Sequence, residues 1–183
     1  MKPYRRDAFR YTALFCEENI WHLAHDLIEQ GIDASRLRVL FFSNPWESIV
    51  LFNQRHAEPG EPAAWDYHVV LQAELDGEDW IFDLDTRLPF PMPRDAYLAG
   101  TFPPQAALPA RYRTQVRAIP AASYLAHFYS DRSHMIGHIP ANAFPDYPII
   151  QPTPGTAAIP LGDYRDMHKT LPDGSSVLTL DAL

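Results

Sequence analysis

Cys16, His68 and the aspartates Asp83 and Asp85 are the residues of this chain whose types and placement could carry covalent chemistry. In such a set a thiolate attacks an acyl carbon, an imidazole takes up and returns the proton, and a carboxylate fixes the imidazole's tautomer and orientation. That is the apparatus of acyl transfer through a thioester. The sequence holds one cysteine, so neither an intramolecular disulfide nor a multi-cysteine zinc site competes for it.

Particular elements must bring these residues together. Ile20, Leu23, Ala24, Leu27 and Ile28 fall on one stripe and predict an amphipathic helix over 17–30, with Gly31 placed to stop it. Glu17, Glu18 and Asn19 fill the first turn, where acidic groups complement the helix dipole. Cys16 then sits at the N-terminal edge, where the dipole favours a thiolate, although the two glutamates oppose it. Residues 37–43 and 47–53 read as two strands around a turn at Asn44-Pro45. Residues 65–75 alternate, with Tyr67, Val69, Leu71, Ala73 and Leu75 on one face. Asp66, His68, Val70, Gln72 and Glu74 lie on the other.

Asp76-Gly77 predicts a hairpin that returns along 80–85, with Trp80, Phe82 and Leu84 on one face and Ile81, Asp83 and Asp85 on the other. A two-residue turn pairs Leu75 with Glu78. The same ladder carried on puts His68 opposite Asp85, with Asp83 a diagonal neighbour within about 7–8 Å at Cα. Either carboxylate can then accept the His68 Nδ1–H, and pairing alone does not choose between them.

The 18 prolines cluster at 89–109 and 140–160 and predict extended connections there in place of helices. A strand at 113–119, a helix from Pro120 to about Tyr129 and an irregular tail with a last strand at 176–180 complete the outline. A helix followed by strands, without a βαβ repeat, gives the α+β class. The chain order Cys, His, Asp is that of papain-like and transglutaminase-like folds. One catalytic domain over 1–183 is expected, with 136–183 as a proline-rich segment packing on it.

Composition narrows the function. Hydrophobic residues at 46% and charged residues at 21% describe a globular chain, not a disordered one. Lys and Arg number 15 against 23 Asp and Glu, for a net charge of -8, which repels phosphate backbones and anionic membrane surfaces. Residues 1–11 hold no signal-peptide core, and the longest apolar runs, at 39–42 and 49–52, are too short to span a bilayer. A cytoplasmic location follows as the expectation. His22 with His25, and His134 with His138, lack the further ligands a zinc site needs, so they read as solvated histidines, with no metal and no cofactor expected. Residues 130–134 read as a polar helix exit, and Trp46, Trp65 and Trp80 as core aromatics.

Four segments resemble a known family. Cys16-Glu17-Glu18-Asn19-Ile20-Trp21 is similar to the CEENIW segment of protein N-terminal glutamine amidohydrolases, and Trp65-Asp66-Tyr67-His68-Val69-Val70-Leu71 to their WDYHVVL strand. Asp83-Leu84-Asp85-Thr86 with Leu88-Pro89-Phe90-Pro91 resembles their DLDT-x-LPFP stretch, and Ser130-Asp131-Arg132-Ser133-His134-Met135 their SDRSHM motif. The four stand in the family's order. The tail agrees loosely, through Tyr147-Pro148 and Leu178-Thr179-Leu180.

The resemblance implies that Cys16, His68 and Asp83 are the catalytic residues. It implies an α-β-α layered sandwich with a mainly antiparallel sheet, related to the papain/transglutaminase core. The reaction it implies is hydrolysis of the side-chain amide of an N-terminal Gln to Glu and ammonia, as a step of the N-degron pathway. Expected partners are proteins or peptides with an N-terminal Gln, with no nucleic acid and no membrane, and the enzyme is expected to be a monomer. Restricting the reaction to a chain terminus calls for a carboxylate that pairs with the α-ammonium; Glu17, Glu18, Asp85 and Asp131 are the candidates. The rival readings are a cysteine-dependent deamidase, transglutaminase-like transferase or peptidase acting on another amide, and a non-catalytic binding domain in which Cys16 is structural.

Overall fold

The 17–30 stripe folds as a helix one residue earlier at each end, α1 (Cys16–Glu29), burying Ile20, Leu23, Ala24 and Leu27. Each such leucine or isoleucine contributes about 1.5–3 kcal/mol by leaving water. Gly31, at φ 96, ends the helix. Its N–H bonds Ile28 O and the next N–H bonds Leu27 O, which satisfies the last carbonyls. The computed structural model describes residues 4–183; residues 1–3, the start of the stretch read above for a signal-peptide core, lie outside the described residues.

The strands follow as β1 (Leu37–Ser43), β2 (Ile49–Leu51), β3 (Ala63–Trp65), β4 (His68–Leu75), β5 (Glu78–Phe82) and β6 (Met92–Pro93). Next come α2 (Arg94–Thr101), β7 (Gln115–Pro120), α3 (Ala121–His127), β8 (Phe128–Tyr129), β9 (Ile159–Pro160), α4 (Leu161–Arg165) and β10 (Ser176–Thr179). Six strands form one antiparallel sheet in the order β10-β7-β1-β4-β5-β6. The class is α+β, as expected. Odd-numbered residues of β1 and β4, Val39, Phe41, Val69 and Leu71, pack with α1, α3 and α4. Even-numbered residues Leu40, Phe42 and Val70 pack with β2, α2 and Phe102 on the other face.

The Asp76-Gly77 hairpin has the expected register, Leu75 opposite Glu78, with both turn residues at positive φ. The ladder stops at Leu71 opposite Phe82. His68 therefore does not pair with Asp85; its ladder partner is Phe42 of β1, on the other side of β4. The cause lies in Asp83, whose Oδ1 accepts the N–H of Asp85 at 2.8 Å. That local turn takes 83–85 out of the sheet.

Other expectations need correction. The strands at 37–43 and 47–53 do not share a sheet: β1 is central in the large one, while β2 pairs with β3 in a separate ribbon. The 65–75 strand is broken at Asp66-Tyr67 between β3 and β4. Within the proline-rich 89–109 stretch, the proline-free interval after Pro93 forms α2 and buries Tyr97 and Thr101 at i, i+4 spacing. The tail carries β9 and α4 besides β10. Trp46 is 59% exposed and no core residue. His22 is half-buried against Tyr147, its pKa pushed down to about 4 by burial and by Arg10, rather than solvated.

Candidate active site

The chain enters α1 through a tight bend, with Leu14 at φ 70. Asn19 holds the bend closed by accepting the Thr12 N–H and donating to Thr12 O, both at 2.8 Å. Tyr124 of α3 donates to Glu17 O at 3.1 Å. Cys16 is thereby fixed as the first helical residue, where backbone N–H groups lack intrahelical acceptors. It is buried, and it lines a cleft of about 340 Å³ together with His56, Trp65, Tyr67, Asp85 and His134.

His68 opens β4 and is fully buried, with the Trp65 ring edge-on at 5.0 Å. Its Nε2 lies 3.1 Å from Asp83 Oδ2. Because Asp83 approaches from beyond the end of β5, it meets Nε2 in place of the expected Nδ1, and among the described residues Nδ1 has no hydrogen-bond partner. The Nε2–Oδ2 contact is close but not aligned as a hydrogen bond, a looseness common before substrate tightens a site. Asp83 Oδ2 also accepts the Tyr97 O–H at 2.9 Å, so α2 braces the carboxylate. Asp85 accepts the Tyr11 O–H at 2.6 Å and stands 3.5 Å from His56 Nε2.

Electrostatics tie the groups into one neighbourhood. Burial presses the His68 pKa down, but the carboxylates of Asp83 and Asp85 outweigh it and hold the imidazole above its ordinary value. The Cys16 thiol is held well above its ordinary value by burial and then by Glu17, with Asp85 and Asp83 adding to both. The Val69 N–H, next along the chain from His68, bonds the sulfur and pulls the other way. Glu17 itself is pushed up to about 7, chiefly by burial. Its Oε2 accepts the Tyr67 O–H at 2.9 Å and lies 3.7 Å from Sγ.

The remaining acids do different work. Glu18 is buried and clamped by Arg132, with Nε at 2.9 Å from Oε1 and Nη2 at 2.8 Å from Oε2, while Ser130 Oγ donates to Oε1 at 2.6 Å. Asp131 is exposed and caps the Ser133 N–H. Residues 130–134 are thus an anchored loop and no helix exit. It is fastened to the start of α1, and it carries His134 to the cleft.

Arg132→Ala would leave Glu18 buried and unpaired, and a loss of about 3–5 kcal/mol of stability is expected in denaturant unfolding. Adding Glu18→Gln should return part of it. A second change that deepens the loss would rule this account out.

Tyr11, His56, Tyr67, Tyr97 and Arg165 also surround the site, and none of them is a site residue expected from the sequence. They reach it from loops or distant elements, as Arg165 does from α4 by pairing with Asp66 at 3.0 Å and covering the Tyr67 ring. Among the described residues, no group of three or more His, Cys, Asp or Glu is arranged to hold a metal ion. Nor is any helix long and apolar enough to cross a membrane.

Comparison with known proteins places the chain in a family. The family model for N-terminal glutamine amidase matches residues 11–182. The chain belongs to that family. It is similar to the protein N-terminal glutamine amidohydrolases of Bos taurus and Homo sapiens, 41% identical over 133 residues in each case, covering 71% of this chain. The Arabidopsis thaliana protein of the same name is 36% identical over 143 residues, covering 73% of this chain. The chain spans less than two thirds of these relatives' length, 64% of the first two and 65% of the third. The matched region of the family model takes in α1, β4 and the 83–85 turn, and so every residue of the cleft described above.

Proposed function

We propose that this family member hydrolyses the side-chain amide of an N-terminal glutamine in proteins or peptides, giving glutamate and ammonia, with Cys16 as nucleophile, His68 as acid–base and Asp83 as its orienting carboxylate. The observation that carries the reading is the buried His68–Asp83 contact at 3.1 Å beside a cleft that holds the free Cys16. The relatives' shared name supplies the substrate class. One catalytic unit built on a papain/transglutaminase-like core, with helices on both sides of the sheet, fits the same reading.

In this reading the reaction runs through a thioester. His68 Nδ1 takes the thiol proton, and the sulfur attacks the carboxamide carbon, forming a C–S bond as the carbonyl π pair moves to oxygen. The Cys16 N–H, open at the helix start, stabilises that oxyanion. Collapse breaks the C–N bond, His68 returns the proton to the leaving nitrogen, and ammonia departs from a thioester. Water, deprotonated by the same imidazole, adds to the thioester carbon. The thiolate then leaves, and glutamate is released.

Three short peptides carrying Gln at a free N-terminus, Gln under an N-acetyl cap or Gln internally test the reading. Ammonia release from the first alone is expected, with the other two at least about 100-fold slower. Equal release from all three would leave a general amide hydrolase. No release from any, with folded protein, would favour a binding role.

A further inference from the structure

Restriction to a chain terminus requires a group that detects a free α-amine, and the structure narrows the choice of acid. Glu18 is saturated by Arg132 and Ser130. Asp85 holds Tyr11 and His56, and Asp131 is exposed and capping a turn. Glu17 differs. Its carboxylate is fully buried, and among the described residues Oε1 has no hydrogen-bond partner. Facing it at 3.6 Å is His134 Nε2, an atom also buried and without a hydrogen bond among the described residues. Two polar atoms left unsatisfied against each other are costly unless a ligand uses them.

We propose that Glu17, with His134, seats the α-ammonium of the substrate and so ties activation of Cys16 to the presence of a free N-terminus. This rests on the proposed glutamine reaction. An ammonium nitrogen can donate to both unpaired atoms, the carboxylate Oε1 and the lone pair of a neutral imidazole. Burial and then Arg165 lower the pKa of His134, which keeps its ring neutral near pH 7. Reach also agrees: four bonds separate the glutamine α-nitrogen from its carboxamide carbon, about 5 Å when extended. Glu17 Oε2 lies 3.7 Å from the sulfur. Because Glu17 is fully covered, the amine enters by a small rotation of the His134 ring, which is 22% exposed.

The second consequence concerns the nucleophile. Besides burial, Glu17 is the foremost charge holding the Cys16 proton in place. An ammonium paired to Glu17 cancels that charge, so the thiol ionises when the correct substrate is bound. An acetylated or internal glutamine brings no cation, leaves the acid unpaired and leaves the thiol protonated. The groups that face Glu17 from neighbouring elements are Cys16 and Glu18 on α1, Tyr67 before β4, Tyr124 on α3, and Arg132 and His134 on the anchored loop. Glu17, which they surround, is itself pushed up to about 7, chiefly by burial.

The test compares an N-terminal Gln peptide with its des-amino analogue, in which hydrogen replaces the α-ammonium. Glu17→Gln should cut the preference for the amine-bearing peptide about 100-fold, while Cys16 alkylation by iodoacetamide becomes several-fold faster at the same pH. Glu17→Asp should keep part of the preference. A purely structural Glu17 would slow both substrates alike and leave the preference unchanged, which overturns the proposal.

The wild-type protein gives a reading that needs no variant. Its kcat/KM for the Gln peptide should rise through about pH 7 on a limb that the des-amino profile lacks, and identical limbs overturn the proposal. Wild type that releases no ammonia from the Gln peptide would sink the functional reading and this inference together. Release with an unchanged preference in Glu17→Gln would sink this inference alone.

Discussion

Cys16→Ala is expected to lower ammonia release from an N-terminal Gln peptide by about 10⁴-fold or more, to the level of an enzyme without its nucleophile. The size follows from the chemistry. Without the sulfur, water must attack a carboxamide directly, and the thioester that splits one difficult step into two cannot form. Cys16→Ser should do almost as badly, because a hydroxyl at the same place holds its proton far more tightly than a thiol already held by burial and by Glu17. The fold should survive either change. Asn19, Tyr124 and the Arg132–Glu18 pair fix the helix start without using the sulfur, so the unfolding free energy should change by about 1 kcal/mol at most. Single-turnover assays with acid quench would check the mechanism, since wild type should show a covalent acyl adduct on Cys16 and both variants none. Appreciable turnover by Cys16→Ala would end the nucleophile assignment.

The parts of this site legible in the sequence are those set by local periodicity. The α1 stripe, the Asp76-Gly77 turn and the alternation along β4 placed Cys16 at a helix start and His68 and Asp83 on one side of a hairpin. The parts that escaped depend on long-range closure. Nothing in the one-dimensional pattern says that Asp83 bonds the N–H two residues on and leaves the ladder, which moves it from the expected Nδ1 to Nε2 of His68. Nor does a polar run such as Ser130-Asp131-Arg132-Ser133-His134 show that its arginine will be buried against Glu18, more than a hundred residues away in the chain. Tyr97 was hidden for a similar reason: the prolines flanking α2 masked a helix that exists because the interval between them is proline-free and faces the sheet. Glu17 and Glu18 are neighbours of one type in one helical turn, and only their partners separate a structural acid from an unsatisfied one.

Those partners decide what Asp83→Asn should do, and the expected loss is about 10³- to 10⁴-fold in kcat. The asparagine carbonyl would keep the bond from the Asp85 N–H, which leaves the amide NH2 where Oδ2 now meets His68 Nε2 and the Tyr97 O–H. An NH2 there donates to Nε2, so the ring proton moves to Nδ1 and the lone pair needed for the Cys16 proton is gone. The charge effect has a definite sign. In wild type, Asp83 and then Asp85 raise the His68 pKa against its burial. Without Asp83 burial prevails and the value falls, so the imidazolium that protonates departing ammonia is lost at lower pH, and the alkaline limb of the rate profile moves down. Stability carries the same signature. A raised folded pKa contributes stability that is complete below the unfolded value of about 6.5 and is lost as pH rises through the folded value. Asp83→Asn should therefore destabilise more at about pH 6 than at about pH 9 in denaturant unfolding. A variant whose rate falls with the alkaline limb unmoved, or whose destabilisation is the same at both pH values, would show that Asp83 braces the fold through Tyr97 and does not govern the proton on His68.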